Sequence, residues 1–182
     1  GKGPTPYAET MADLDDVVGY VLAALRQKGV ENDTIVIFTS DNGPWLNFGR
    51  HAGSAGPFRE GKGTTFEGGV RVPMIIRGPN VVSPGRTAPQ LVHVVDLYST
   101  ILELAGINVA NTIPGGTVLD SQSLLPILQN QTVTRPQAYS ELFDTSDATC
   151  GGQALRNSQY KIIKPKSGSI EFYDLIADPY EA

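Results

Sequence analysis

Cysteine is almost missing from this chain: Cys150 stands alone, which excludes an internal disulfide and any zinc site built from several cysteines. Basic residues are also short, with 14 Lys and Arg against 19 Asp and Glu, and the resulting net charge of −5 argues against a nucleic-acid binder. No apolar run approaches the roughly 18 residues needed to cross a bilayer, so no membrane span is expected. The opening residues, GKGPTPYAET, have neither a charged nor an apolar signal region and no initiating Met. A partial chain, or one from which something was removed, is therefore expected. What is present is ordinary for a globular protein: 40% of the 182 residues are apolar and 18% charged. A compact chain of this size would expose about 8,500 Å², and would hide roughly 70% of its extended surface in one sizeable core.

Apolar residues at Met11, Leu14, Val17, Val18, Val21, Leu22 and Leu25 recur every three or four positions and predict a helix over residues 10–29. Thr10 is expected to cap its start, with Asp13 three residues on, and Gly29 supplies the left-handed residue at its end. Residues 34–39 (TIVIFT) form a β-branched run suited to a parallel-sheet strand covered on both faces. The polar stretch Ser40-Asp41-Asn42-Gly43-Pro44 follows at its carboxyl end, where open α/β sheets place ligands. Residues 45–69 carry seven glycines and little periodicity, which predicts a long functional loop. A strand is expected over 72–77, a helix over 96–105 with Asp96 as N-cap and Gly106 after its end, and a turn of helix over 123–128 limited by Pro126. From Gln137 onward four short strands are predicted, at 138–143, 153–155, 160–163 and 169–173. These define a smaller antiparallel subdomain. The expected division is 1–136 for an α/β portion and 137–182 for this subdomain.

Asp41 and Asn42 place a carboxylate beside a carboxamide oxygen, the hard donors preferred by Ca²⁺ or Mg²⁺; the same triplet, Asp-Asn-Gly, is also a common turn. Residues 56–62 (GPFREGK) imitate the start of a nucleotide-binding loop, but Gly63 stands where a Ser or Thr should hold Mg²⁺. Lys62, an ammonium among glycines, remains suited to a tetrahedral oxyanion. Of the two histidines, His93 sits among valines and reads as a satisfied structural residue, whereas His51 lies in the glycine loop and is open to a substrate-facing role. Glu67 and Arg71 read as a local ion pair, and Cys150 lacks the basic neighbours of a reactive thiol. The sequons at Asn32 and Asn130 decide nothing.

Residues 35–44 (IVIFTSDNGP) and 53–73 (GSAGPFREGKGTTFEGGVRVP) closely resemble the carboxyl-terminal half of formylglycine-dependent sulfatases, in the arylsulfatase A and N-acetylgalactosamine-6-sulfatase group. The likeness continues through residues 14–19 (LDDVVG), 93–97 (HVVDL), 171–175 (EFYDL) and Asp178-Pro179. The resemblance implies part of an alkaline-phosphatase-like α/β sandwich, followed by a small subdomain with a four-stranded antiparallel sheet and a helix. It implies that Asp41 and Asn42 bind the divalent cation, usually Ca²⁺, that Lys62 is a catalytic residue contacting the sulfate group, and that His51 helps shape the substrate pocket. The nucleophile of that family is a formylglycine made within Cys/Ser-x-Pro-x-Arg, and this chain has no such pattern. The expectation is thus a partial sulfatase, inactive alone, whose substrate is a sulfated small molecule or glycan. Family habit implies a periplasmic, lysosomal or secreted location.

Two alternatives keep the same residues. One changes the ester to a phosphodiester or phosphonate monoester, since cation and lysine suit any tetrahedral oxyanion. The other is a non-catalytic module that binds sulfated glycans. Exposed apolar faces around an incompletely flanked strand could also bring two copies together.

Overall fold

The computed structural model describes residues 5–143 and 151–182, so Cys150 lies outside the described residues. The first helix, α1, runs over Pro6–Gln27 and begins earlier than Thr10. Thr5 is the cap: its hydroxyl accepts the Ala8 N–H at 3.2 Å, and Pro6 sits in the first turn, where its missing N–H costs nothing. Thr10 lies inside the helix and donates its hydroxyl back to the Pro6 carbonyl. Gly29, at φ +69°, ends it as expected. No residue of α1 is fully buried, and Met11, Leu14, Val17 and Val21 on its apolar side remain 40–54% exposed.

Strand β1 (Val36–Thr39) pairs with β2 (Met74–Arg77), and the pairing is antiparallel, with Thr39 opposite Met74 and Val36 opposite Arg77. This corrects the parallel expectation. A parallel partner needs a crossover that carries the chain back to the strand's starting end. Here the glycine loop stays at the carboxyl end of β1 and enters β2 from that same end. Every residue of β1 is half-buried, so the expected cover on both faces is also incomplete. Between the two strands lies a single turn of helix, α2 (Glu67–Val70).

Helix α3 (Asp96–Leu104) follows, with Val95 preceding it and no side-chain cap. Asp96 is not the N-cap, because its carboxylate is buried and engaged elsewhere. It accepts the N–H of His93 at 2.8 Å and of Gln122 at 2.9 Å, and pairs with Arg135, which also donates to the carbonyls of Asp120 and Gln137. Thr100 extends the same stitch: its hydroxyl donates to the Asp96 carbonyl and accepts the Leu124 N–H. Helix α4 (Leu125–Leu128) is the one turn that Pro126 allows, and supplies Ile127 and Leu128 to the core. His93 is the satisfied histidine expected, accepting the Val95 N–H at Nδ1 and facing the Tyr139 carbonyl through Nε2 at 3.0 Å.

The remaining strands, β3 (Ala138–Phe143), β4 (Gly151–Arg156), β5 (Tyr160–Pro165) and β6 (Glu171–Asp174), form a four-stranded antiparallel meander in chain order. Period-two alternation on β5 turns Lys161 and Ile163 inward and Tyr160 and Ile162 outward. Leu124, Ile127, Leu128, Ala138, Ala154 and Ile163 are the buried apolar side chains among the described residues, and seven polar or charged ones are buried with them. Polar and charged groups therefore make up as much of this interior as apolar side chains do. The accessible surface, 11830 Å², is well above the 8,500 Å² or so expected of a compact chain of this size.

Candidate functional site

The site begins where β1 stops. The Ser40 hydroxyl donates to the Asn42 carbonyl at 2.8 Å, turning the chain, and the Asn42 amide nitrogen donates to the Gly43 carbonyl at 2.9 Å. The Asn42 nitrogen is thus engaged, which leaves its carboxamide oxygen available beside the exposed Asp41 carboxylate. These two hard oxygens fit Ca²⁺ or Mg²⁺ in kind. Among the described residues no group of three or more His, Cys, Asp or Glu side chains gathers to complete a cation site.

Gly43 then passes against α2 with no room for a side chain. Its N–H donates to the Gly69 carbonyl at 2.9 Å, and a Cβ placed on it would lie 1.8 Å from the Gly68 carbonyl oxygen. The next carbonyl, on Pro44, accepts the Lys62 N–H at 2.9 Å, and a Cβ on Gly61 would meet that same oxygen at 2.4 Å. Glycine at 43 and 61 is thus what allows the loop after β1 and the loop before α2 to lie in contact. The result is that Asp41, Asn42 and Lys62 all line one broad open cleft, together with Ser40, Gly63 and Thr64. Lys62 is exposed, with its ammonium 5.4 Å from the centre of the Trp45 ring, within cation–π range.

His51 ends a 3-10 turn (Leu46–His51) that kinks at Gly49, where φ is +55°. It is exposed and is not among the residues lining the cleft. The nucleotide-loop resemblance also fails in space: no strand leads into Gly56, and after Lys62 the chain turns rather than entering a helix, α2 starting only at Glu67. An anion-cradling helix start is therefore missing from that position.

Behind the cleft lies a feature that the sequence reading missed. Glu67, fully buried, pairs with Lys161 at 3.0 Å and Arg156 at 2.6 Å as well as with Arg71 at 3.7 Å. The local Glu67–Arg71 pair expected from sequence is present but is the longest of the three. Glu181, also fully buried, pairs with Lys161 at 2.7 Å and accepts the Glu67 N–H at 2.6 Å. Arg59 reaches the same region, donating to the Tyr173 hydroxyl at 2.8 Å, the Glu171 carboxylate at 3.2 Å and the Glu181 carbonyl at 3.1 Å. Burial first, and the Glu171 carboxylate after it, push the Tyr173 phenol above its ordinary range. The available signal was the lysine at an inward position of β5, beside Ile163 in the alternation.

Known proteins resemble this chain in both sequence and fold. The Sulfatase family matches residues 3–107, and the family described as N-sulphoglucosamine sulphohydrolase, C-terminal, matches residues 59–182. Arylsulfatase A of Bos taurus is 36% identical over 181 residues, 98% of this chain and 34% of that protein. N-acetylgalactosamine-6-sulfatase of Rattus norvegicus is 41% identical over 135 residues, 73% of this chain and 25% of its own length. Among solved structures, the PsFucS1 sulfatase from Pseudoalteromonas sp. superposes with a TM-score of 0.79 at 30% identity, covering 97% of this chain and 38% of that one. The chain thus spans about a quarter to a third of the curated relatives named here. Its mixed α/β architecture and antiparallel meander are those of the alkaline-phosphatase-like sulfatases. With both halves of the sequence matched, the chain belongs to the sulfatase family.

Proposed function

We propose that this chain contributes the cation-binding and sulfate-binding side of a sulfate-ester hydrolase. Asp41 and Asn42 would hold a divalent cation, Ca²⁺ or Mg²⁺, and Lys62 would contact the sulfuryl oxygens. The observation that supports this reading is that all three line one broad cleft, with the Lys62 N–H bonded to the Pro44 carbonyl and Gly43 packed against α2. A bound cation supplies Lewis-acid polarisation and charge neutralisation. Lys62 adds a mobile positive charge with three donors, and charge of this kind stabilises a group being transferred more than the resting ester. The Cys/Ser-x-Pro-x-Arg pattern in which formylglycine is made does not occur in this chain.

A sulfated small molecule or glycan is the proposed substrate of the complete site. Residues 1–136 are assigned to the α/β domain and 137–182 to the antiparallel subdomain. Export to a periplasmic, lysosomal or extracellular location is part of the same proposal; among the described residues no helix is long and apolar enough to cross a membrane.

The test uses Trp45, the only tryptophan. Sodium sulfate, against sodium chloride at matched ionic strength, should change its fluorescence saturably in the native chain and not in Lys62→Ala. An identical response in Lys62→Ala would overturn the assignment. Sulfate and phosphate esters of one alcohol, assayed in parallel, should show no turnover by this chain above the Lys62→Ala control.

A further inference from the structure

We propose that Lys161 and Glu181 are positioning residues for Lys62: β5 and the segment after β6 clamp both ends of the loop that carries it. The consequence for catalysis rests on the sulfate-binding reading of Lys62, whereas the clamp itself stands on geometry alone. Lys62 lies within the segment from Arg59 to Glu67. At the front of that segment, Arg59 donates to the Glu181 carbonyl at 3.1 Å and to Tyr173 and Glu171 of β6, with its guanidinium 4.1 Å above the Phe66 ring. At the rear, the Glu67 N–H donates to the Glu181 carboxylate at 2.6 Å, and the Glu67 carboxylate meets Lys161 of β5 at 3.0 Å. Glu181 thus holds the front with its main chain and the rear with its side chain.

The segment between the two anchors has little freedom to absorb a shift. A Cβ on Gly68 would lie 2.1 Å from the Glu60 carbonyl oxygen, and one on Gly69 would lie 2.4 Å from that of Thr64 and 2.6 Å from that of Gly61. Closely packed backbone of this kind transmits a displacement rather than damping it. Movement of Glu67 would therefore reach Gly61 and Lys62, and through Gly69 it would reach Gly43, next to Asn42.

Glu181 itself is held in an unfavourable conformation. Its φ of +59° is rare for a residue with a side chain, and such a geometry persists only where surrounding contacts impose it. Those contacts are visible: Ala182 and Tyr180 donate their N–H groups to the Asp178 carboxylate, and Asp178 donates its own to the Asp174 carbonyl at 2.7 Å. Two buried carboxylates facing Lys161, with Arg156 on Glu67, also make the docking directional, because any other register leaves a buried charge unpaired. An apolar contact of the same area would not carry that penalty.

Trp45 again serves as the reporter, since it follows Pro44, whose carbonyl holds the Lys62 N–H, and its ring lies beneath the Lys62 ammonium. Lys161→Met and Glu181→Ala are compared with Ile163→Ala, a core truncation on the same strand as Lys161 that leaves the charges in place. Emission and acrylamide quenching are read at temperatures where each variant retains the native far-ultraviolet circular dichroism. The expected result is red-shifted emission and stronger quenching in Lys161→Met and Glu181→Ala, with a raised apparent Kd for inorganic sulfate. Ile163→Ala should lower the melting temperature and leave Trp45 unchanged. Native Trp45 behaviour in a folded Lys161→Met or Glu181→Ala chain would overturn the clamp, as would an equal change in Ile163→Ala. If Lys161→Met does not fold, Glu181→Ala, which removes the acceptor of the Glu67 N–H and leaves Lys161 paired with Glu67, decides alone. The emission change needs no sulfate, so the clamp can stand where sulfate binding fails and can fail where sulfate binding stands.

Discussion

Replacing Asp96 with alanine should destabilise the fold more than its small size suggests. The carboxylate is 1% exposed, its partner Arg135 is 9% exposed at the side chain, and two backbone donors, from His93 and Gln122, end on it. Truncation leaves Arg135 as a buried cation without its counter-charge, a change that costs about 3–5 kcal/mol when one member of a buried pair is removed. The two orphaned N–H groups would add about 1–3 kcal/mol each if they stayed dry, but water entering the vacated space relieves part of this, so about 4 kcal/mol is the working figure. For a chain of this size each kcal/mol lowers the melting temperature by about 2–4 °C, which gives a fall of about 8–16 °C. Asp96→Asn keeps one oxygen for a backbone donor and should fall between the two. Thermal unfolding followed by circular dichroism, with urea midpoints as a second measure, reads the difference. A loss below about 1 kcal/mol for Asp96→Ala, the scale of an exposed pair, would refute the claim that this carboxylate ties α3 to residues 120–137.

Two further outcomes follow from other contacts. Gly43→Ala drives a methyl group into the Gly68 carbonyl, so the loop after β1 must separate from α2; the expected cost is about 1–3 kcal/mol, together with a changed Trp45 emission, and a native spectrum with native stability would contradict it. On the acid side, the Ile176 N–H, helped by Gln159 and the Ala177 N–H, holds the Asp174 carboxyl below its ordinary value of 3.8, and Arg77, helped by Arg26, does the same for Glu31 below 4.5. A depressed folded value means that the stabilisation is present above the ordinary pKa and is lost as pH falls through the lowered one. Asp174→Asn and Glu31→Gln should therefore flatten the acid limb of a stability–pH curve measured downward from about pH 5, and an unchanged limb in both would count against these contacts.

Much of the scaffold was legible because its signals are local. The β-branched run before Ser40, the glycine after α1, Pro126 limiting α4, and the alternation on β5 each depend on residues within a few positions of one another. The helix start was misplaced because Thr10 with Asp13 imitates a capping box, while the operative cap, Thr5 followed by Pro6, precedes the first apolar residue of the repeat. The Asp96 assignment failed for a related reason: an aspartate at the head of a helix is read as a cap, and nothing nearby announces Arg135 or Gln122 as its partners. Strand pairing could not be read from β1 alone, since direction is set by where the intervening loop returns.

The candidate site divides in the same way. Asp41, Asn42 and Lys62 were visible as chemistry, and the glycines between them hinted at close approach. Their supports were not visible, because Lys161 and Glu181 come from positions far downstream of Glu67, and charged side chains are read as surface by default. A buried Lys–Glu cluster is a long-range fact that no local window contains.

The central claim is that Asp41, Asn42 and Lys62 act as one ligand site. Backbone amide NMR of the native chain, titrated first with calcium chloride and then with sodium sulfate, tests it most directly. The account predicts saturable shifts at Asp41 and Asn42 with calcium, and at Lys62 and Gly63 with sulfate, the second set becoming stronger once calcium is present. Sulfate shifts scattered over exposed lysines such as Lys28 and Lys164, with Lys62 unmoved, would contradict it.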